Sequence, residues 1–183
     1  CVLPTLFTIP AAPPDAPADE QQTFPDHLQW FVYGHSKHLA ELEVQQAVAQ
    51  GLPAVTVNPG IVLGPRDVNF VSGSLIRASL NGQWRVVPPG GSNIVHVADV
   101  VAGHMAAAER GRIGERYILG GENLTHRQAA AIIAEVTGSP PPALTLPAPA
   151  PGVLAPPLRR STNCLHPCEI ESNELLVAFV QVE

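Results

Sequence analysis

The residues best suited to chemistry in this sequence are Tyr33 and Lys37, in the segment Tyr33-Gly34-His35-Ser36-Lys37. They are four positions apart, so on a helix they lie on one face, one turn from each other. An ammonium group beside a phenol favours the phenolate and lowers the pKa of the tyrosine from about 10. The pair therefore predicts a general acid/base that works near neutral pH. The same spacing also arises by chance on many helices, so it gains meaning only from the motifs that follow it.

A helix must position this pair, and the sequence predicts one that runs to about Gln50 and is closed by Gly51. Its predicted buried face is a small apolar stripe suited to packing on a sheet: Ala40, Val44, Ala47 and Val48. Its predicted water-facing side consists of His38, Glu41, Gln45 and Gln46. In this arrangement the phenol and the ammonium stand at the start of a helix that is buried on its apolar side.

A short β-branched run over residues 54–57 follows this helix without a hairpin turn, which indicates a buried parallel strand. The turn-rich segment from Asn58 to Asp67 comes directly after it and is predicted to be a loop. In open α/β sheets, ligands bind in the crevice outside the carboxyl ends of the strands. We therefore expect this loop to hold a cofactor or a substrate, the alternative being an ordinary strand-to-helix connection.

The rest of the chain predicts shorter elements. Strands are predicted over residues 84–87, 93–97 and 117–119, and a short helix over residues 74–80. Asp99 is predicted to cap a helix that ends near Gly111. Thr125 and Gln128 form a capping box at the start of a further helix, which Gly138 ends. Proline and alanine dominate residues 139–157, which indicates a linker or a passage across the surface.

Composition excludes several classes of function. The net charge of −6 opposes a nucleic-acid partner, which needs a basic face. No apolar run approaches the roughly 18 residues of a membrane span, so no membrane partner is expected. Three cysteines, an odd number, do not make a disulfide framework, and a reducing, cytoplasmic setting is expected. The segment Cys164–Cys168 offers at most three soft ligands without a second pair, so no metal site is expected.

Four motifs follow one another in the chain: Tyr33 to Lys37, Asn58 to Gly60, Gly64 to Asp67, and Ile94 to Val100. In this order and spacing they resemble the extended short-chain dehydrogenase/reductase superfamily, within it the NAD-dependent epimerase/dehydratase group and its dihydroflavonol-reductase-like branch. The segment over residues 114–123 is similar to that branch as well. The resemblance covers residues 15–146. It implies an α/β fold: a partial Rossmann-type parallel sheet with helices and small substrate-domain elements, the N-terminal nucleotide-binding half being missing.

The resemblance also implies a role for each matching residue. Tyr33 would exchange a proton with a carbonyl or secondary alcohol while a hydride moves to or from NAD or NADP. Lys37 would hold the nicotinamide ribose and lower the pKa of Tyr33. The nicotinamide pocket would be lined by Asn58, Pro59, Gly60 and Val62. Arg66 and His96 are expected near the substrate, although His96 and Asp99 also admit structural roles as a core histidine and a helix cap. The family's Ser or Thr partner of the tyrosine would be Thr5, with Thr8 the other residue available.

The sequence departs from the family pattern at several places. It contains no Gly-rich turn of the kind that seats a pyrophosphate on a helix N-terminus. The chain begins at Cys1 rather than Met, and we expect it to be an excerpt of a longer protein. Ser92 and Asn93 precede Ile94 where nucleotide-sugar epimerases resemble one another in an arginine, which disfavours a nucleotide-sugar substrate. We expect residues 1–147 to be the C-terminal portion of an NAD(P)-binding Rossmann-type domain, and residues 148–183 a proline-rich linker and irregular tail.

Two hypotheses about function follow. The first is an NAD(P)-dependent oxidoreductase or epimerase that acts on a small-molecule carbonyl or alcohol, with a homodimer formed through the Tyr33 helix as one arrangement. The alternative is a truncated, catalytically inactive family member that acts as an interaction module or has no activity. Because apolar faces such as that of the Tyr33 helix would lack their sheet, we expect marginal folding and poor dinucleotide binding.

Overall fold

The computed structural model describes residues 8–9, 17–69 and 71–147, and the statements below concern these residues. The helices are α1 (Val32–Ala49), α2 (Ser74–Leu80), α3 (Val97–Arg110) and α4 (His126–Thr137). The strands are β1 (Thr56–Pro59), β2 (Ile61–Leu63), β3 (Val86–Val87), β4 (Gly91–His96), β5 (Arg116–Leu119), β6 (Glu122–Thr125) and β7 (Leu144–Thr145). Short 3₁₀ turns lie at Asp26–Leu28 and Gln83–Arg85. Helices and strands alternate for most of the chain, as the sequence predicts for an α/β protein.

The strands form three small sheets, and most of the pairing is parallel. β1 pairs with β5, placing Val57 opposite Tyr117. β2 pairs with β4 in parallel, and β6 adds to the other side of β4 in antiparallel orientation. β3 pairs in parallel with β7. The expected parallel arrangement is therefore present, and the carboxyl ends of β1 and β5 lie side by side.

The core is built around β1. Val55, Val57 and Ala107 form a buried cluster, against which Tyr117 and Leu119 of β5 pack. Val57 is completely buried, as expected for a strand that carries a helix on its face and pairs with a parallel neighbour. Because β1 is anchored in this way, the chain leaves the core at a fixed point, after Pro59.

Three segments differ from the sequence-based expectation. Residues 58–67 are not entirely loop, since β1 continues through Pro59 and β2 occupies Ile61–Leu63. Within the stretch interpreted as a linker, β7 pairs with β3. β6 was not predicted at all. Each of these strands depends on a partner distant in the chain, which local composition does not report.

The beginnings of the helices agree with the sequence in one case and correct it in another. Thr125 is the N-cap of α4 and forms the predicted capping box with Gln128, while Gly138 ends the helix with a φ of 68°. In α3 the N-cap is His96 and not Asp99: His96 Nδ1 accepts a hydrogen bond of 3.2 Å from the backbone N–H of Ala98. His96 is also exposed, so it is not a core histidine.

The bounds predicted for α1 are confirmed, and the face assigned to it is right in part: Val44, Ala47 and Val48 are half-buried, while Gln45 and Gln46 are exposed. Ala40 is exposed, whereas Glu41, predicted to face water, is only 5% exposed. Leu39 and Leu42 are exposed as well. The apolar pattern does not predict the burial of Glu41, because this side chain is buried among hydrogen-bond donors and not by apolar packing.

Some predictions fall on residues that the structure does not describe. Thr5, the segment Cys164–Cys168 and the whole region 148–183 lie outside the described residues. In the parts that are described, no helix has the length and apolar content needed to cross a membrane. Those same parts contain no group of three or more His, Cys, Asp or Glu side chains placed to hold a metal ion.

Candidate active site

Tyr33 and Lys37 lie together in the first two turns of α1. The Lys37 Nζ atom is 5.8 Å from the centroid of the Tyr33 ring, so the ammonium lies over the face of the phenol. Tyr33 is 41% exposed and Lys37 is half-buried, which leaves the phenol accessible to a small molecule. The Ser36 hydroxyl donates a 2.8 Å hydrogen bond to the backbone carbonyl of Tyr33. The helix therefore holds a proton-carrying group and its neighbouring cation on one exposed face.

A cluster of aromatic rings holds the start of α1 in place. Phe24 is buried and stacks on His35 and His38, with ring centroids 6.0 and 5.2 Å away. Gly34 is buried because Phe31 lies against it: a Cβ atom there would be 2.6 Å from Phe31 Cδ1. Any larger residue at position 34 would displace a ring, so this glycine allows the close approach beside the catalytic candidates.

The end of β1 and the start of β2 contain the residues expected to line a nicotinamide pocket. Asn58 is completely buried, and its Nδ2 donates to Glu41 Oε1 at 2.7 Å and to Thr8 Oγ1 at 3.0 Å. Its amide nitrogen is thus committed to the interior. At Gly60 a Cβ atom would lie 2.5 Å from Asn93 Oδ1, so a side chain would not fit there. Pro59 is buried and Val62 is half-buried in β2. The Gly60 N–H donates a 3.2 Å hydrogen bond to the carbonyl of Leu119, and Gly60 is half-buried.

Glu41 is a functional candidate that the sequence analysis missed. Its Oε1 accepts hydrogen bonds from Thr8 Oγ1 and Asn58 Nδ2, both at 2.7 Å. Its Oε2 forms a 3.1 Å ion pair with Arg116 Nη1. Glu41 lies four residues after Lys37 and eight after Tyr33, and this spacing on one helix face was the signal available in the sequence.

Arg116 continues this network to the segment that precedes α1. Its Nε and Nη2 donate to the carbonyl of Glu20 at 3.2 and 2.7 Å, and Nη2 also donates to the carbonyl of Gln22. The Glu20 carboxylate in turn accepts a 3.1 Å hydrogen bond from the backbone N–H of Ile118. One guanidinium therefore joins α1, β5 and residues 20–22.

Arg66 and His96 lie at the carboxyl ends of two paired strands. Leu63 pairs with His96, so both residues occur where β2 and β4 end at the same edge of the sheet. Arg66 is exposed and has a φ of 71°, a left-handed conformation that is uncommon for a residue other than glycine. It contributes to a cavity of about 580 Å³ between this loop and α2, together with Gly64, Asp67, Val68, Ile76 and Arg77. The loop is shaped by Asp67, whose carboxylate accepts from the N–H groups of Val71 and Gly73 at 3.1 and 2.6 Å.

Among the described residues, His126 is the ionisable group whose pKa departs most clearly from its ordinary value. It is buried at the start of α4, and its Nδ1 lies 2.9 Å from the carbonyl of Pro89. Burial removes water from the imidazolium and lowers the pKa of His126 below its ordinary value of 6.5, although hydrogen bonds to Pro89 and Pro88 oppose this. The Pro89 contact identifies Nδ1 as the donor, so the neutral ring carries its proton there.

The chain is similar in sequence to proteins of one known family. The model of the NAD dependent epimerase/dehydratase family matches residues 8–120. A putative dihydroflavonol 4-reductase from Synechocystis sp. is 37% identical over 135 residues, which cover 71% of this chain and 39% of that protein. The chain spans only 32–39% of the length of the curated relatives it matches.

Two solved structures show the same fold. A nucleoside-diphosphate-sugar epimerase from Pseudomonas aeruginosa aligns with a TM-score of 0.71 and 31% identity, covering 79% of this chain and 48% of that one. The UDP-glucose 4-epimerase of Thermus thermophilus, solved as a complex with NAD, aligns with a TM-score of 0.61 and 25% identity. That alignment covers 83% of this chain and 52% of the epimerase.

Proposed function

The chain belongs to the NAD-dependent epimerase/dehydratase family, and from this premise we propose that it carries the proton-transfer part of an NAD(P)-dependent oxidoreductase or epimerase of the extended short-chain type. The observation that carries the proposal is the position of Lys37 Nζ, 5.8 Å from the centroid of the Tyr33 ring. A cation at this place favours the phenolate form of Tyr33 over the phenol. Tyr33 is then the general acid/base and Lys37 the group that tunes it.

The donor groups of α1 fit the nicotinamide end of a dinucleotide. An ammonium and a phenol are suited to the hydroxyl groups of a ribose, and Tyr33 is exposed while Lys37 is half-buried. When bound, the nicotinamide supplies or accepts the hydride. For the pyrophosphate the fit is poor, because the sequence contains no Gly-x-Gly-x-x-Gly turn. Neither NAD nor NADP is preferred by these residues.

The chemistry assigned to this chain is a proton transfer. In the reducing direction Tyr33 Oη gives its proton to the oxygen of a carbonyl whose carbon receives the hydride, and a secondary alcohol results. In the oxidising direction the phenolate of Tyr33 takes the proton from the alcohol. The substrate would lie between Tyr33 and the edge formed by Arg66 and His96; a cavity lies beside Arg66, and its described lining includes neither Tyr33 nor His96.

The alternative, a catalytically inactive family member that binds other proteins or lacks activity, is favoured by the absence of the Gly-rich turn. A homodimer through α1 is compatible with both functions and is supported by the exposed side chains of Leu39 and Leu42 on that helix. A reducing, cytoplasmic setting completes the proposal, in line with the odd number of cysteines.

Saturation-transfer NMR with NAD⁺ and NADP⁺ tests the enzymatic proposal, because the method detects weak binding. We expect signal on the nicotinamide ring with the wild-type chain and a clear loss with Tyr33→Phe/Lys37→Ala. The matched control is Glu43→Gln, an exposed residue of the same helix, which should leave the signal unchanged. Absence of nicotinamide signal in the wild type, or equal signal in the double variant, would support the inactive alternative instead.

A further inference from the structure

The orientation of α1 depends on very few buried residues. Of its 18 residues only Gly34 and Glu41 are buried. Gly34 faces Phe31 and Phe24, which belong to the segment leading into the helix and not to a sheet. Near its C-terminal end, Val48 approaches Gly114, where a Cβ atom would lie 3.4 Å from Val48 Cγ1. Between these two points, the contact of α1 with β1 and β5 that the structure describes in detail is the Glu41 carboxylate.

This carboxylate is surrounded by donors that require an acceptor on both of its oxygens. Thr8 and Asn58 donate to Oε1, and Arg116 donates to Oε2. Only an ionised carboxyl group accepts at both oxygens, because an amide must place an NH₂ on one side. The site therefore specifies glutamate by its chemistry and not only by its size.

The same carboxylate links the two halves of the candidate active site. Glu41 lies one turn after Lys37 and two turns after Tyr33 on the same helix. Asn58, which donates to it, is followed directly by Pro59 and Gly60 at the end of β1. A rotation or a slide of α1 against β1 would stretch the 2.7 Å bond between Asn58 and Glu41.

We propose that Glu41 is a positioning residue: held by Asn58 and Arg116, it fixes helix α1 against the carboxyl end of β1 and so sets where Tyr33 and Lys37 lie relative to Pro59 and Gly60. Buried ion pairs are costly to desolvate, and apolar side chains of similar volume often stabilise a fold as well or better. The contribution of the Glu41–Arg116 pair is therefore the orientation of α1, which an apolar contact of similar volume would not fix. The consequence for cofactor placement rests on the function proposed above, whereas the orientation of α1 does not.

Three variants separate orientation from simple loss of stability. Glu41→Gln keeps the shape of the side chain but places an NH₂ against either Arg116 or Asn58. Glu41→Gln/Asn58→Asp exchanges the roles: the amide of position 41 donates to the new carboxylate and its oxygen still accepts from Arg116. Glu43→Gln removes an exposed carboxylate from the same helix and is the control for charge alone.

Residual dipolar couplings of backbone N–H groups report the orientation of α1 directly. In the wild type and in Glu43→Gln, one alignment tensor should fit α1 together with β1, β5 and α3. In Glu41→Gln we expect α1 to require a different tensor while its couplings still fit a helix. The exchanged pair should return α1 to the wild-type orientation, a rescue that a general loss of packing would not produce.

Several outcomes overturn the proposal. The first is that α1 keeps its orientation in Glu41→Gln. The second is that no single alignment tensor fits α1 together with β1, β5 and α3 in the wild type. The third is that the exchanged pair does not return α1 to the wild-type orientation. If Glu41→Gln does not fold, the exchanged pair decides: wild-type orientation supports the proposal, and an altered orientation or an unfolded chain refutes it.

Saturation transfer from Glu41→Gln to NAD⁺ provides a second readout. We expect the nicotinamide signal to fall several-fold relative to the wild type and to Glu43→Gln, because the helix that carries Tyr33 and Lys37 is displaced. A nicotinamide signal equal to that of the wild type would contradict the positioning role. A wild-type chain that gives no nicotinamide signal overturns the proposed function alone, since the dipolar couplings are measured without cofactor.

Discussion

Lys37 is the only lysine in the sequence, and the structure places it over the ring of Tyr33. Its ammonium lies 5.8 Å from the centroid of the phenol ring. At this distance a unit positive charge stabilises the phenolate of Tyr33, although water around the partly exposed ring weakens the interaction. Family membership, predicted from four motifs, is confirmed by a family model over residues 8–120, but the acid/base role of Tyr33 remains a prediction.

We predict that Lys37→Met raises the pKa of Tyr33, because removal of the ammonium removes the charge that favours the phenolate. The sequence has two tyrosines, so the Tyr117→Phe background leaves Tyr33 as the single phenol. Ultraviolet absorbance of the phenolate, followed during a pH titration, measures the shift. Arg110→Met, which removes an exposed cation from the end of α3, should leave the titration unchanged. A titration of Lys37→Met that coincides with the parent would disprove the tuning role.

The pKa of His126 predicts how stability depends on pH. Burial lowers this pKa below 6.5 in the folded state, so between the folded value and 6.5 the unfolded chain binds more protons than the folded chain. The free energy of unfolding therefore rises with pH through this window and is fully recovered above 6.5. We expect urea midpoints to fall as the pH is lowered through this window.

His126→Asn should flatten this dependence, since the asparagine amide can still donate to Pro89 but does not titrate. His27→Asn, at an exposed position, is the matched control and should retain the slope. An unchanged slope in His126→Asn would show that other groups control the acid sensitivity.

At the scale of helices and strands, the sequence predicted what local chemistry determines. The capping box of Thr125 and Gln128 and the left-handed Gly138 fix the ends of α4 through neighbouring residues alone. His96 escaped notice as the N-cap of α3 because histidine is not among the preferred capping residues. β6 and β7 were missed because each forms only when a distant strand is in place.

The burial of Glu41 on α1 was missed for a related reason. Hydrophobic periodicity identifies a face that is buried by apolar packing. Glu41 is buried by polar partners, and its ion-pair partner Arg116 lies 75 positions away in the chain. The sequence of the helix alone does not reveal a partner so far along the chain. Glu41, which links α1 to β1 and β5, was therefore predicted to be exposed.

Two neighbouring glycines provide a sharp test of the β4–β6 pairing. A Cβ atom at Gly121 would collide with the backbone carbonyl of Ile94, whereas at Gly120 the nearest atom is Asn93 Nδ2 at an ordinary 3.4 Å. We predict that Gly121→Ala lowers the free energy of unfolding by about 1–3 kcal/mol, the usual cost of overpacking. Gly120→Ala should change it far less. Urea denaturation of the two variants measures the difference, and equal losses would refute the register described here.

For the whole molecule, the fold class is confirmed by the likeness to solved epimerases, each of which this chain matches over about half of its length. The described residues nevertheless leave many large apolar side chains in contact with water. Val32 is 77% exposed, Val101 and Met105 of α3 are each 58% exposed, and Val136 is 82% exposed. The buried cluster around Val57, by contrast, is small. Because burial of apolar area is the main source of stability, these residues contribute less than a well-packed domain of this size would obtain.

We therefore predict that the 183-residue chain unfolds with a free energy at or below about 5 kcal/mol, the lower end of the usual range. Cofactor should stabilise it very little, because the sequence offers no Gly-rich turn for the pyrophosphate. For a Kd on the order of 1 mM, about 0.1 mM NAD⁺ adds only about 0.06 kcal/mol, too little to move a thermal transition measurably. Saturation transfer still detects such binding, so a nicotinamide signal without a thermal shift is the combined result we expect. A cooperative transition that NAD⁺ raises by several degrees would show instead that this chain builds a complete dinucleotide site, and the pyrophosphate would then have to be held by residues other than a Gly-rich turn.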